Sequence, residues 1–233
     1  MKLIDICTVL SRGKTLPDEY KNINEALNFY NITDEEYKNK CYQCIENINK
    51  NNEILNKFND IYKLLYEDKT DEYRKLWKIK NPKRFFGQDY PIFGTNILLL
   101  LGYRCHIKNI EKITFDNEQI TIQKQRVKEC LENDIIYKNY DEIRISQMLW
   151  GTYFINGLLL ENGRLQFEPT NNSKIKIHIP EGKKLIIDDV KESIEDSKLL
   201  LKKYYNVKKT KYICESWLLS QEIASMLDEN SNI

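Results

Sequence analysis

At 233 residues, 41% hydrophobic and 30% charged, the chain holds enough apolar material for one large domain or two small ones, which excludes wholesale disorder. Its 36 Lys and Arg against 35 Asp and Glu leave a net charge of +1 with the signs interspersed, so neither the basic excess nor the basic stripe of a phosphate-gripping nucleic-acid binder is present. The longest apolar run, Ile97 to Leu101, is far short of the roughly 20 residues of a membrane span, and Asp5 interrupts the apolar N-terminal stretch where no small-residue cleavage site follows. A cytoplasmic globular protein with no membrane and no nucleic-acid partner is the expectation.

The first hundred residues read mostly as helices. Leu16-Pro17-Asp18-Glu19 offers a helix start, with Pro in the first turn and acids favourable to the helix dipole. Thr33 and Glu36 have capping-box spacing and would open a helix through Cys41, Cys44 and Ile48. Ile54, Phe58, Ile61, Tyr62 and Leu65 recur at threes and fours, one buried helical face. A short helix around Tyr73, Leu76 and Trp77 is followed by a loop from Asn81-Pro82 to Pro91. Phe93 to Leu101 is apolar on all sides and predicts a core helix. Further helices are predicted over Thr121–Leu131 and Tyr140–Phe154.

Near Gly157 the period changes from 3.6 to 2. Leu158–Leu160, a turn at Glu161-Asn162-Gly163 and Arg164–Glu168 read as a β-hairpin. Pro169–Ser173 turns the chain into a strictly alternating strand, Lys174–Ile179. Pro180-Glu181-Gly182 ends it. Asp189 and Glu192 would cap a helix bearing Val190, Ile194, Ser197, Leu200, Leu201 and Tyr204, followed by a strand over Lys211–Trp217 and a helix from Gln221 to Leu227. The expected fold is α/β in the broad α+β sense, a helical N-terminal half and a mixed sheet with helices after it, in which the strands before and after the Asp189 helix are parallel because a helical crossover joins them. Domains are expected over 1–145 and 146–233.

The six cysteines, Cys7, Cys41, Cys44, Cys105, Cys130 and Cys214, read as reduced thiols in a chain without a secretory signal. Cys41-x-x-Cys44 has metal-like spacing. It lacks a second pair, lies in a helical pattern, and no metal is expected there. The 29 Lys, 30 Ile and 24 Asn look like the imprint of AT-rich codons, so Lys and Asn abundance carries no functional weight.

Polar groups concentrate in the predicted strands. Period two puts Arg164, Gln166 and Glu168 on one face, Lys176 and His178 on one face, and Tyr212, Cys214 and Ser216 on one face. If the three strands are neighbours, Glu168, His178, Cys214 and Ser216 would converge as an acid–base set; the plainer alternative is that they satisfy local hydrogen bonds. The strand–loop–helix passage with Gly182, Lys183 and Lys184 has the form of an anion site, opposed by Glu181, Asp188 and Asp189.

Trp150–Phe154, Gly163-Arg164-Leu165-Gln166-Phe167-Glu168, Ile177-His178-Ile179-Pro180 with Gly182, Cys214-Glu215-Ser216-Trp217-Leu218-Leu219 and Ser231-Asn232-Ile233 occur in this order. Together they resemble bacterial acyltransferase-domain proteins that join a helical N-acyltransferase N-terminal domain to a GNAT-like C-terminal domain. The resemblance implies a GNAT-like sheet and an acyl-CoA co-substrate, acetyl-CoA or another. Its phosphates would lie on Gly182, Lys183 and Lys184, and its pantetheine arm along Cys214, Glu215, Ser216 and Trp217. The usual Gln/Arg-x-x-Gly-x-Gly/Ala loop is absent. The family also continues for several strands beyond Ile233, so the GNAT-like part reads as incomplete, with the Cys214 strand expected at an edge.

The implied activity is transfer of an acyl group to an amine, on a small molecule or on a peptide or protein. His178 or Glu168 would be the base, and Ser216 or Cys214 would protonate the leaving thiolate. A covalent route through Cys214 is the variant. The alternatives are a non-catalytic GNAT-like binding module and, with less support, a cysteine hydrolase using Cys214 and His178.

Overall fold

The structure, a computed structural model, describes residues 21–66, 93–136, 145–170, 174–182, 184–207 and 211–216. The predicted helix start at Leu16, the helix around Tyr73–Trp77, the 81–91 loop, the tip of the 169–173 turn and the helix from Gln221 lie outside these residues. The elements are α1 (Lys21–Phe29), α2 (Glu35–Lys50), α3 (Asn52–Tyr66), α4 (Gly94–Leu101), α5 (Tyr103–Ile113), α6 (Asn117–Ile136) and α7 (Ile145–Ile155). They are followed by β1 (Leu160–Asn162), β2 (Leu165–Pro169), β3 (Lys174–His178), α8 (Ile187–Tyr205) and β4 (Lys211–Cys214). The chain is α+β, helices first and a mixed sheet second. It divides into two compact units, residues 1–109 with 124–156, and residues 110–123 with 157–233.

In the first unit every residue of α4 is buried, because a helix apolar all round must be enclosed by others. α1, α2 and α7 pack against it. Gly151 of α7 permits close approach: a Cβ there would stand 2.8 Å from the Leu99 side chain. α2 begins one residue later than the capping box predicts. Asp34, not Thr33, is the N-cap, its carboxylate accepting from the Tyr37 N–H at 2.6 Å. Cys41 and Cys44 lie on the buried face of α2, and burial pushes the Cys41 thiol far up. They act as small hydrophobes. Among the described residues no group of three His, Cys, Asp or Glu is placed to hold a metal, and no described helix is long and apolar enough to cross a membrane.

In the second unit the strand order is β1-β2-β3-β4, antiparallel except for the parallel β3–β4 pair. The turn differs from expectation by one residue. Asn162 pairs with Leu165, so Gly163 and Arg164 form a two-residue loop. Only Gly163 has positive φ, +57°, the pattern of a type II′ turn rather than the Asn-Gly type I′. α8 lies on the sheet face of Leu165, Phe167 and Tyr212. Its buried positions Ser193, Ser197, Leu201 and Tyr204 form one helical stripe, with Ser197 Oγ bonded to Tyr212 Oη at 2.9 Å and α8 packed on β1 and β2. The helix starts at Ile187, two residues before the predicted cap, with Ile186 as N-cap and no side-chain capping bond. β1 is braced on its outer edge. Gln119 and Gln123, one turn apart on α6, donate to the carbonyls of Glu161 (3.1 Å) and Leu159 (2.9 Å). β4 ends at Cys214 rather than Trp217, and among the described residues it pairs with β3 alone.

Candidate active site

Residues opposite each other in a sheet share a face. The register sets Gln166 against His178, Glu168 against Lys176 and Glu161 against Gln166, so these side chains line the face away from α8. On that face His178 Nε2 lies 3.0 Å from Glu168 Oε2, a diagonal contact between β2 and β3. The side chains are 27% and 12% exposed, shielded yet reachable. An ionised carboxylate only accepts, so Glu168 holds the proton on Nε2 and leaves the lone pair on Nδ1. Beside them Gln166 donates to Glu161 Oε2 at 2.7 Å, with both residues buried. That bond pins the side chain directly opposite His178.

Cys214 does not join this group. It pairs with Ile177, not with His178, and so lies on the other face, with Phe167 and with Tyr212, whose ring is 6.0 Å from that of Phe167. The expected convergence of Glu168, His178 and Cys214 on one face is therefore corrected. Alternation within each strand is as predicted, but a one-residue shift between neighbouring strands inverts their relation. Burial also raises the Cys214 thiol, which disfavours a thiolate nucleophile. Exposed Glu215 and part-buried Ser216 follow the last ladder pair, Ile177–Cys214. The parallel ladder thus stops at the carboxyl end of both strands, beside His178, where open α/β sheets collect ligands.

The loop from β3 to α8 carries the remaining candidates. Gly182 and Lys184 are exposed. Gly182 has φ +155°, a value that L side chains rarely adopt. Lys183 and Trp217 lie outside the described residues. Asp188 and Asp189 occupy the first turn of α8, where they suit the helix dipole and oppose an anion.

Two residues that alternation alone does not single out organise this end of the sheet. Period two places Arg164 with Gln166 and Glu168; instead it occupies the turn, and its Nη1 donates to the Pro180 carbonyl at 2.6 Å. Ser193 Oγ accepts from the Arg164 N–H at 3.0 Å and donates to the Asp189 carbonyl at 2.6 Å. The signal for Ser193 is its spacing from Ser197, two small residues on one helical face where a sheet comes close. A cavity of about 380 Å³ lies beside this contact, lined by Asn162, Gly163, Arg164, Asp189, Glu192 and Asp196 among others.

Residues 159–233 match the family described as the GNAT-like C-terminal domain, the same stretch that forms this sheet. This part of the chain has a GNAT-like fold. Solved structures are similar to the chain in fold. One is an acyltransferase mutant in complex with octanoyl-CoA, 14% identical, TM-score 0.60, matched over 100% of this chain and 78% of that one. A second is an acyltransferase in complex with CoA and 10C-teicoplanin, 14% identical, TM-score 0.62, with the same coverage. A third is an acyltransferase in complex with decanoyl-CoA, 15% identical, TM-score 0.61, matched over 99% of this chain and 79% of that one. At such identities the likeness shows the fold alone. No curated protein matches the chain significantly. In the GNAT-like domain here, His178 and Glu168 stand together beside the end of the parallel ladder, and Cys214 stands behind it.

Proposed function

We propose that the chain is an acyl-CoA-dependent N-acyltransferase, with His178 as general base and Glu168 as the residue that orients it. The observation that carries this reading is the 3.0 Å His178–Glu168 pair beside the point where the parallel ladder of a GNAT-like domain stops. The acceptor amine attacks the thioester carbonyl carbon and gives its proton to His178 Nδ1. The tetrahedral intermediate collapses to the amide and expels the CoA thiolate, which takes up a proton. Ser216 lies beyond Cys214, the last residue of β4, where strand alternation no longer sets its side, and is proposed as the donor of that proton. The Cys214 thiol stands on the opposite face and has no part in this step. Gly182, Lys183 and Lys184 would meet the phosphates, and Glu215, Ser216 and Trp217 the pantetheine arm. The neighbours holding octanoyl-CoA, decanoyl-CoA and CoA support acyl-CoA as co-substrate. Teicoplanin beside decanoyl-CoA in another supports a small-molecule acceptor. Use of acyl-CoA supports a cytoplasmic reaction.

The test pairs calorimetric titration of CoA with a thiol-release assay on acyl-CoA and a panel of small amines. His178→Ala is expected to lower kcat by about 10²–10⁴-fold and leave the CoA dissociation constant unchanged. Wild-type protein that binds CoA and releases no thiol with any amine would favour the non-catalytic binding module.

A further inference from the structure

The loop between β3 and α8 is anchored from outside itself. Ser193 ties the β1–β2 turn to α8: its Oγ takes the Arg164 N–H and reaches the Asp189 carbonyl, while its own carbonyl accepts from Asn162 Nδ2 at 3.1 Å. From this fixed turn the Arg164 side chain crosses to the loop and donates to Pro180 O at 2.6 Å. It also passes under Gly182, whose Cβ position lies 4.0 Å from Arg164 Cζ. The guanidinium therefore spans Pro180 to Gly182. The same loop carries exposed Glu181 and runs into Asp188 and Asp189, which repel an anion. Arginine suits this place because its planar fork holds a carbonyl with one edge and stays charged throughout.

We infer that Arg164 is a positioning residue for the phosphate end of the co-substrate, fixing the β3–α8 loop through the Pro180 carbonyl and offsetting its acidic neighbours. The inference rests on the acyl-CoA reading above and adds to it a residue outside the loop. It also accounts for a loop that lacks the Gln/Arg-x-x-Gly-x-Gly/Ala pattern: the arginine comes from the hairpin instead.

The experiment measures binding of decanoyl-CoA and of decanoyl-pantetheine, which lacks the phosphates, to wild type, Arg164→Gln and Arg164→Lys at one ionic strength. Arg164→Gln is expected to weaken decanoyl-CoA about tenfold or more and to leave decanoyl-pantetheine unchanged, with Arg164→Lys intermediate. Equal weakening of both ligands would make Arg164 a prop of the sheet only and overturn the inference. Unchanged affinity for both would overturn it while the acyl-CoA reading stood. Failure of the wild type to bind either ligand would overturn that reading as well. Should Arg164→Gln not fold, Arg164→Lys decides: a loss confined to the CoA thioester supports the inference, and equal affinity overturns it.

Discussion

Gly163 occupies the first position of the β1–β2 turn at φ +57°, and a Cβ there would run into Ser193 Oγ. Both the backbone conformation and the close approach to α8 require glycine. Gly163→Ala is expected to lower stability by about 1–3 kcal/mol, read as a shift in the urea midpoint. A midpoint equal to wild type would mean that the turn relaxes without cost. Glu168 is the second residue whose chemistry is narrowly set. Gln in its place can turn its amide N–H toward the imidazole and stabilise the other tautomer. Glu168→Gln is expected to cut turnover by about 10²-fold or more while acyl-CoA affinity holds, a split between kcat and binding that steady-state kinetics would read.

At the scale of elements, the second unit is tied together at the start of α6. Asp116 caps that helix by accepting from the Gln119 N–H at 3.0 Å, and its other oxygen accepts from Lys203 (2.7 Å) and Tyr204 (2.6 Å) at the end of α8. Phe115 adds an edge-on ring contact with Tyr204 at 4.9 Å. The Lys203 bond, then the Tyr204 bond, then the backbone N–H hold the Asp116 carboxyl well below its usual range. A group depressed in the folded state contributes stability above its unfolded pKa and loses it as pH falls through the folded value. Asp116→Asn is therefore expected to lower stability at neutral pH and to flatten its dependence below about pH 4. Urea unfolding at a series of pH values checks both. One turn further along α6, Gln123 is wholly buried and donates to the Leu159 carbonyl at the outer edge of β1. Gln123→Leu leaves that carbonyl unsatisfied and is expected to cost about 1–3 kcal/mol, measured by the same titration.

Across the molecule, acid sensitivity has a second source in the first unit. His106 of α5 is 1% exposed, and its Nδ1 meets the Tyr30 hydroxyl at 3.1 Å. Burial, with Lys124 adding to it, pushes its pKa down to about 3. The unfolded chain then binds a proton that the folded chain does not, so stability falls as pH drops from about 6.5 toward that value. This has the same sign as the Asp116 effect but a window beginning about two and a half units higher. His106→Gln keeps an acceptor for Tyr30 and removes the titration. It is expected to flatten stability between about pH 6.5 and 4 and leave the lower Asp116 step in place. Retention of the full upper slope in His106→Gln would assign it to other groups.

The sequence by itself determined the helical first half, the change of period near Gly157, the hairpin and the parallel relation of β3 and β4. Each follows from something local: apolar spacing in α2 and α3, alternation in β3, and a connection between β3 and β4 long enough for a helix. It also brought His178 and Glu168 forward as candidates, since each is a polar residue in a strand flanked by apolar ones. Tertiary structure alone decided which of those candidates meet. The register puts Glu168 within reach of His178 and sends Cys214 to the other face. It also decided that residues 110–123 belong with the sheet and that Arg164 holds the loop at Pro180. The physical reason is one of range. Period and propensity act within a few residues, whereas strand register and long side-chain hydrogen bonds depend on partners that only the folded chain brings together.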